Sequence, residues 1–490
     1  MRPKALWVGL ISLGFLWVVA GRGVRAQEAG EPPVVVPGPL PSPQERLLAP
    51  VPEPFTWMAR EVPPNPPLET LLRLRRDIGR LFLAVSLAED YSDNFFQRPD
   101  NPQEEFRTLA SLNTVYRLQR ERGFLSLANT LSALYEARAE EGRVAFANFA
   151  LIAGYQLPRL SLALSDSFVR DDDPQVASLA GLRRERRTFI RNRLSPQLRV
   201  ALSRLTEVTL GYTNTLVINE TETRGPLAPL FATREDDNTV GHAVSAGLTH
   251  RFSRRLEGDF RYGFDLTDSE GATDSQGHDV SLSLHYRAGR RTILTGRAFG
   301  ALTERSRGGQ DARRYGADLG LRQQLTPFLA LFVSAGATVL EQEGEDPEVF
   351  LNWQVDLDGA LPLLRARQTT LTLTGRQSLT DTVAEVDNVG LVLQRSLTLT
   401  LNHAASRRLL ASLFASLART ELLEAFGTSE AVPDREDTVW RAGANVSYAL
   451  LRAVSLSLSY AYQRRDSNVA GADFDENRVT LSLTAGLPVF

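Results

Sequence analysis

A histidine, a serine and a carboxylate at short spacing are where nucleophilic or proton-transfer chemistry is sought first, and Asp279, Ser283 and His285 supply that set. On a strand all three fall on one face. Same-face residues two apart stand about 7 Å from each other, too far for the ~2.6–3.2 Å hydrogen bond between a hydroxyl nucleophile and its base. A working site would need a Ser or His from a neighbouring strand within reach of His285, so the expectation is a protein that is not an enzyme. His242, His250 and His403 take the opposite, apolar parity near strand ends, where a place in an aromatic girdle is the simpler account, and His278 completes the five. No cluster with metal-ligand spacing, no phosphate-binding glycine loop and no nucleic-acid motif occurs, so neither metal, cofactor nor nucleic acid is expected.

The second set of chemistry-bearing residues is larger. Lys4 is the only lysine, so nearly all cations are arginines, whose rigid donor fork suits carboxylate and phosphate partners. The formal net charge of −3 is close to zero for 490 residues and implies no polyanionic partner. Arg107, Arg117, Arg191, Arg193, Asp259, Arg261, Arg297, Asp318, Arg322, Asp356, Asp358, Arg376, Arg441 and Arg478 alternate with apolar residues within their segments. These fourteen either orient polar solutes along an interior or pair with one another and fill it.

The elements that must position them are strands. From Leu81 onward the hydrophobic period is two, the mark of one apolar and one polar face. Leu256, Phe260, Tyr262, Phe264 and Leu266 alternate with Glu257, Asp259, Arg261 and Asp265; Val454, Leu456, Leu458, Tyr460 and Tyr462 alternate with Ser455, Ser457, Ser459, Ala461 and Gln463. A soluble sandwich also alternates, so the connections have to decide. Tight turns near Arg120–Gly123, Leu157–Arg159, Ser203–Leu205, Ser253–Arg255, Gly289–Arg291, Thr326–Pro327, Pro362–Gln368, Ser406–Arg408 and Leu451–Ala453 take turns with longer polar connections such as Asp171–Arg187, Val217–Asn238 and Glu421–Arg435. That regularity is expected of an outer-membrane barrel, with short turns in the periplasm and long loops outside. Nine short turns joining ten hairpins predict about twenty antiparallel strands, an all-β transmembrane barrel over 81–490 that closes Leu81–Ala88 onto Val479–Leu487. Tyr116, Phe252, Tyr286 and Tyr448 before short turns, and Tyr91, Phe168, Tyr212, Phe264, Trp440 and Tyr462 beside long ones, predict two aromatic girdles.

Ahead of the barrel, Arg2 and Lys4, the apolar run Ala5–Ala20 and the small-residue site ending at Ala26 read as a secretory signal peptide over 1–26. Thirteen of the 26 prolines lie between Pro32 and Pro67, so 27–67 reads as a Pro-rich periplasmic linker without regular structure. Leu68, Leu71, Leu72 and Ile78 among charges make 68–80 a candidate short amphipathic lead-in. Zero cysteines suits an exported protein that does without disulfides. The terminal Phe490 resembles the signal read by the outer-membrane assembly machinery, although its parity is that of the polar face and Pro488 precedes it.

Two stretches carry a family resemblance. The first strand ending in Tyr91-Ser92-Asp93-Asn94, within Val85–Phe96, and the hairpin Leu194-Ser195-Pro196-Gln197-Leu198 with Val208-Thr209-Leu210-Gly211-Tyr212 are similar to the putative beta-barrel porin type 2 family. The resemblance implies an outer-membrane barrel, often linked with exopolysaccharide production or export, and it carries over no catalytic or ligand residues. The expected partners are outer-membrane lipid, the assembly machinery, and polysaccharide or small polar solutes. Three functions compete: a porin-like conduit or exporter, a structural anchor or plugged partner-gated exporter, and an outer-membrane hydrolase.

Overall fold

The computed structural model describes residues 81–120, 122–136, 141–171, 189–219, 238–269, 274–306, 311–364, 367–381, 390–425 and 435–488. The expected leader, Pro-rich linker, amphipathic lead-in, most of the longest connections and Phe490 lie outside them.

The described residues form twenty strands. They are β1 (Leu81–Ser92), β2 (Glu105–Gln119), β3 (Gly123–Glu136), β4 (Glu141–Gln156), β5 (Leu160–Asp171), β6 (Phe189–Ala201) and β7 (Thr206–Asn219). β8 (Thr239–Arg251), β9 (Leu256–Ser269), β10 (Ser275–Arg287), β11 (Thr292–Arg305), β12 (Ala312–Thr326), β13 (Leu329–Gln342) and β14 (Glu348–Leu364) follow. β15 (Arg367–Asp381), β16 (Gly390–Ala404), β17 (Leu409–Ala425), β18 (Glu436–Ala449), β19 (Val454–Ser467) and β20 (Phe474–Pro488) complete the set. Every strand pairs antiparallel with its sequence neighbours, and β1 pairs β20 from Phe82↔Pro488 to Ser92↔Arg478. The sheet is thereby a closed barrel without free edges, the one sheet form that leaves no unpaired backbone row to a surrounding lipid phase.

The short turns are built by their own residues. In Ser203-Arg204-Leu205, Ser253-Arg254-Arg255 and Ser406-Arg407-Arg408 the serine Oγ accepts from the backbone N–H two and three residues on, while the serine N–H donates to the carbonyl of the first residue of the next strand. A serine at that point supplies the acceptor that a tight reversal needs. Between β14 and β15 the turn is shorter than the expected Pro362–Gln368. β14 runs on to Leu364 and its register shifts between Leu361 and Leu364, so an irregularity absorbs the missing donor of Pro362. Pro196 acts similarly inside β6, where pairing with β7 lapses between Leu194 and Gln197.

One face of the sheet carries Leu83, Val85 and Leu87 on β1, Leu397 and Leu399 on β16, and Leu481 and Leu483 on β20. Large side chains here are roughly half exposed, as on a convex surface where they splay apart. Such a band, with the aromatic residues Tyr286, Trp440 and Tyr448 on the same face, is what a lipid-facing exterior requires. The opposite face is concave and carries serines, threonines and charged residues.

The inner face as candidate functional site

Directly paired residues on antiparallel strands share a face, so register carries parity from strand to strand. Around the barrel this puts Arg107 and Arg117 on β2, Arg191 and Arg193 on β6, Asp259 and Arg261 on β9, Arg297 on β11, and Asp318 and Arg322 on β12 on the face of Ser86 and Asp90. Asp356 and Asp358 on β14, Arg376 on β15, Arg441 on β18 and Arg478 on β20 share it.

Arg107, Arg478 and Asp259 bond side chains of adjacent strands. The strongest group stands toward the long-connection end of β1. Arg107 donates from Nη2 and Nε to Asp90 Oδ2 at 2.7 and 3.2 Å, and Arg478 Nε and Thr480 Oγ1 donate to Asp90 Oδ1 at 2.8 and 2.7 Å. Phe95 stacks over the Arg107 guanidinium at 4.7 Å, and Gln97 Nε2 donates to Glu476 Oε2 at 2.9 Å. Asn94 donates to the Asp475 carbonyl at 2.9 Å, so the connection from β1 to β2 folds inward over this cluster. A parallel group joins Arg435 to Asp437 at 2.6 Å, with Ser467 Oγ donating to the same carboxylate. Sequence reasoning singled out Arg107 and Arg478 but not Asp90, Asp437 or Glu476. Asp90 shares parity with Ser86 and was legible; Asp437 and Glu476 lie at strand starts, where parity has little sequence to rest on.

Toward the short turns, ion pairs again join adjacent strands: Arg199 Nε to Glu207 at 3.1 Å and Arg251 Nε to Glu257 at 3.3 Å. Arg297 is paired in register with Asp318 and lies over the Phe299 ring at 5.1 Å. Gln354 donates to Asp356 Oδ2 at 2.6 Å, and Arg322 lies over Phe332 at 5.5 Å. Among the described residues no group of three or more His, Asp or Glu is placed to hold a metal ion.

His285 has neighbours that its own strand does not supply. Its Nε2 is 3.2 Å from Asp259 Oδ2 on β9, its Nδ1 is 3.1 Å from Thr295 Oγ1 on β11, and Thr249 Oγ1 donates to Asp259 Oδ1 at 2.6 Å. The residues within reach are therefore an aspartate and a threonine, not a second serine or histidine. Thr295 pairs in register with His285, within the β10–β11 ladder. The other histidines lie on the outer face: His242 and His278 bond the hydroxyls of Tyr212 and Tyr262 at 2.8 Å, His250 bonds Thr206 and His403 bonds Thr369.

Two apolar groups interrupt the polar interior near the long-connection end. Phe189 and Val217 are fully buried with Val169 against them. Ala312, Leu340 and Leu391 form the other, with Phe350, Leu379 and Leu423 packed on it. Leu391 has outward parity along β16, yet it meets residues of β12 and β13. The register of β16 against β17 shifts between Leu391 and Val392, and that irregularity accompanies the inward turn of the strand end.

Residues 310–487 match the model of the family described as "Putative beta-barrel porin 2". No curated protein matches the chain. Among solved structures the chain is similar to OpdL of Pseudomonas aeruginosa, with 14% identity, TM-score 0.38, and 84% of this chain and 99% of that one covered. It is also similar to OccAB4 of Acinetobacter baumannii, with 12% identity, TM-score 0.37 and coverage of 84% and 99%. The siderophore receptor PirA from Pseudomonas aeruginosa matches with 10% identity, TM-score 0.45 and coverage of 84% and 81%. At such identities and scores the architecture rests on this chain's own pairing, which is that of a closed antiparallel β-barrel.

Proposed function

We propose that the protein spans a bacterial outer membrane with its short turns in the periplasm, and that its inner face is a hydrated conduit for polar solutes. The observation that carries this reading is the segregation of the two faces. Fourteen charged positions found by alternation share the concave face, while Leu, Val and Tyr cover the convex one. A charge on the lipid face would cost roughly 2–4 kcal/mol near the midplane, so such consistent parity is what a water-filled interior selects. Arginines beside carboxylates and hydroxyls suit small polar solutes or the hydroxyls and carboxylates of a polysaccharide. Export of an exopolysaccharide is the finer form of the proposal and is supported by the family resemblance. In this reading 1–26 directs secretion, 27–67 hangs in the periplasm, and Phe490 serves the assembly machinery.

A second reading, a plugged barrel opened by a partner or serving as an anchor, is favoured by the inward-folded residues 93–104 and the apolar group around Leu391. Single-channel recording of the purified protein in planar bilayers separates the two. Stable open steps support the conduit; a folded barrel that stays silent supports the plugged form and overturns a constitutively open conduit.

A further inference from the structure

On the outer face of β16 to β19, charged residues follow a fixed order along the wall. Coming from the long-connection end, β17 carries Glu421, then Arg419, then Leu417, and β19 carries Asp466, then Arg464, then Tyr462. Each set has a single parity and shares the outward face with Trp440 of β18. β16 contributes Arg395, with Leu397 and Leu399 on its short-turn side. Acids thus stand farthest from the short turns, guanidiniums next and apolar or aromatic side chains after them.

Register adds a second feature. Arg395 and Arg419 are directly opposite each other across the β16–β17 ladder, and one step farther out Glu421 and Glu436 are directly opposite across β17–β18. Like charges in that relation repel. The ion pairs that relieve them, Arg395 to Glu421 at 3.6 Å and Arg419 to Glu436 at 2.7 Å, both run toward the long-connection side. Arg395 also gives its Nε to Gln377, and among the described residues these contacts leave N–H donors of both forks unspent. The two arginine side chains are 38% and 48% exposed, and Trp440, opposite Leu417, is 49% exposed, so the patch is open on its outer side.

We propose that Arg395, Arg419 and Trp440 form a binding patch for the phosphate of an outer-leaflet lipid, whose acyl chains lie along Leu397, Leu399 and Leu417. The reading rests on the membrane orientation proposed above, which puts the long-connection end outside. In that orientation lipid phosphates stand at the level where apolar side chains give way to charge. An anion that reaches the wall from the lipid side meets the guanidiniums before the carboxylates. An arginine fork donates two parallel N–H bonds to phosphate oxygens, and a phosphate between Arg395 and Arg419 offsets their mutual repulsion. Trp440 supplies the amphipathic ring that favours the headgroup level. A soluble acidic partner would come from the water side, where Glu421, Glu436 and Asp466 repel it. Long arginine stems reaching up to water would by themselves give the order of acid, base and apolar residue. They give no reason for two arginines to stand directly opposite each other.

The refolded full chain in detergent is titrated with lipid A carrying its phosphates and with lipid A stripped of them, and bound lipid is counted by native mass spectrometry. The phosphorylated form is expected to bind about tenfold more tightly than the stripped form, and Arg395→Gln/Arg419→Gln to erase that preference. Arg395→Lys/Arg419→Lys, which keeps the charge and loses the fork, is expected to fall between the two. Arg204→Gln/Arg407→Gln, the same charge change at exposed short turns, is expected to bind as the unaltered chain does. Equal binding of the two lipids, or a preference that survives Arg395→Gln/Arg419→Gln, overturns the proposal. A preference lost only in Arg204→Gln/Arg407→Gln overturns the orientation together with the patch. Heat-modifiable mobility on gels verifies that each variant is a folded barrel. Lipid binding needs no conductance, so single-channel steps judge the conduit separately from the patch.

Discussion

At the residue scale, the charge cluster around Asp90 carries the sharpest expectation. The carboxylate is almost wholly buried and shared by Arg107 and Arg478, so Asp90→Asn removes the charge that both guanidiniums bond. Breaking a buried pair in this way costs roughly 3–5 kcal/mol. Urea unfolding of the refolded barrel should register a loss of that size, with Glu89→Gln on the exposed outer side of the same strand near zero.

At the element scale, β16 shows how a strand accommodates a charge on its lipid-facing parity. Arg395 keeps the outward side, donates to Gln377 Oε1 at 3.2 Å and lies 3.6 Å from Glu421. The register shift falls four residues away, at Leu391, so no local bulge turns the arginine inward. A crossing needs about 9–11 residues, which Ser396 onward supplies, and Arg395 then stands at the outer interface where a cation costs about 0–1 kcal/mol. Spin labels on Cys at 395 and 399 should differ, the first accessible to an aqueous quencher and the second to oxygen. Equal depth for both contradicts it. In β13, a Cβ on Gly336 would collide with the Ala317 carbonyl and with Asp318 of the paired strand β12. Backbone there cannot yield as a flexible side chain would. Gly336→Leu should weaken the β12–β13 pairing and lower the yield of heat-modifiable barrel on refolding, whereas Gly344→Ala, which meets no atom but sits at φ 86°, should cost only a local strain of about 1–2 kcal/mol.

At the scale of the whole molecule, closure is the property that matters. β1 and β20 are the two ends of the barrel in sequence, and eleven residues of β1 run against β20 from Phe82↔Pro488 to Ser92↔Arg478, with Asp90, Ser92 and Asp93 bonded across that seam. Loss of β20 should therefore leave two open edges and abolish heat-modifiable folding altogether, not merely lower its stability. Limited proteolysis of the intact protein should remove most of 27–67 while the barrel keeps its gel mobility; resistance of the whole Pro-rich stretch would place the linker elsewhere.

The sequence alone determined the strand class, the count of twenty, the closure of first strand on last and the identity of the two faces. Each follows from local patterning: a period of two, the alternation of short and long connections, and the cost of placing charge in lipid. It set His285 apart from a serine two positions away by simple geometry, but it could not supply Asp259 and Thr295, which are 26 residues before it and ten after it and meet it only through the registers of β9, β10 and β11. Tertiary structure alone decided which side chains of neighbouring strands meet, because the opposite residue is set by register, and one step of register changes every neighbour. It also decided that Leu391 turns inward against its own parity. Alternation has the same value on every strand, so it cannot tell one side of a closed barrel from another; only the chain's path through three dimensions breaks that equivalence.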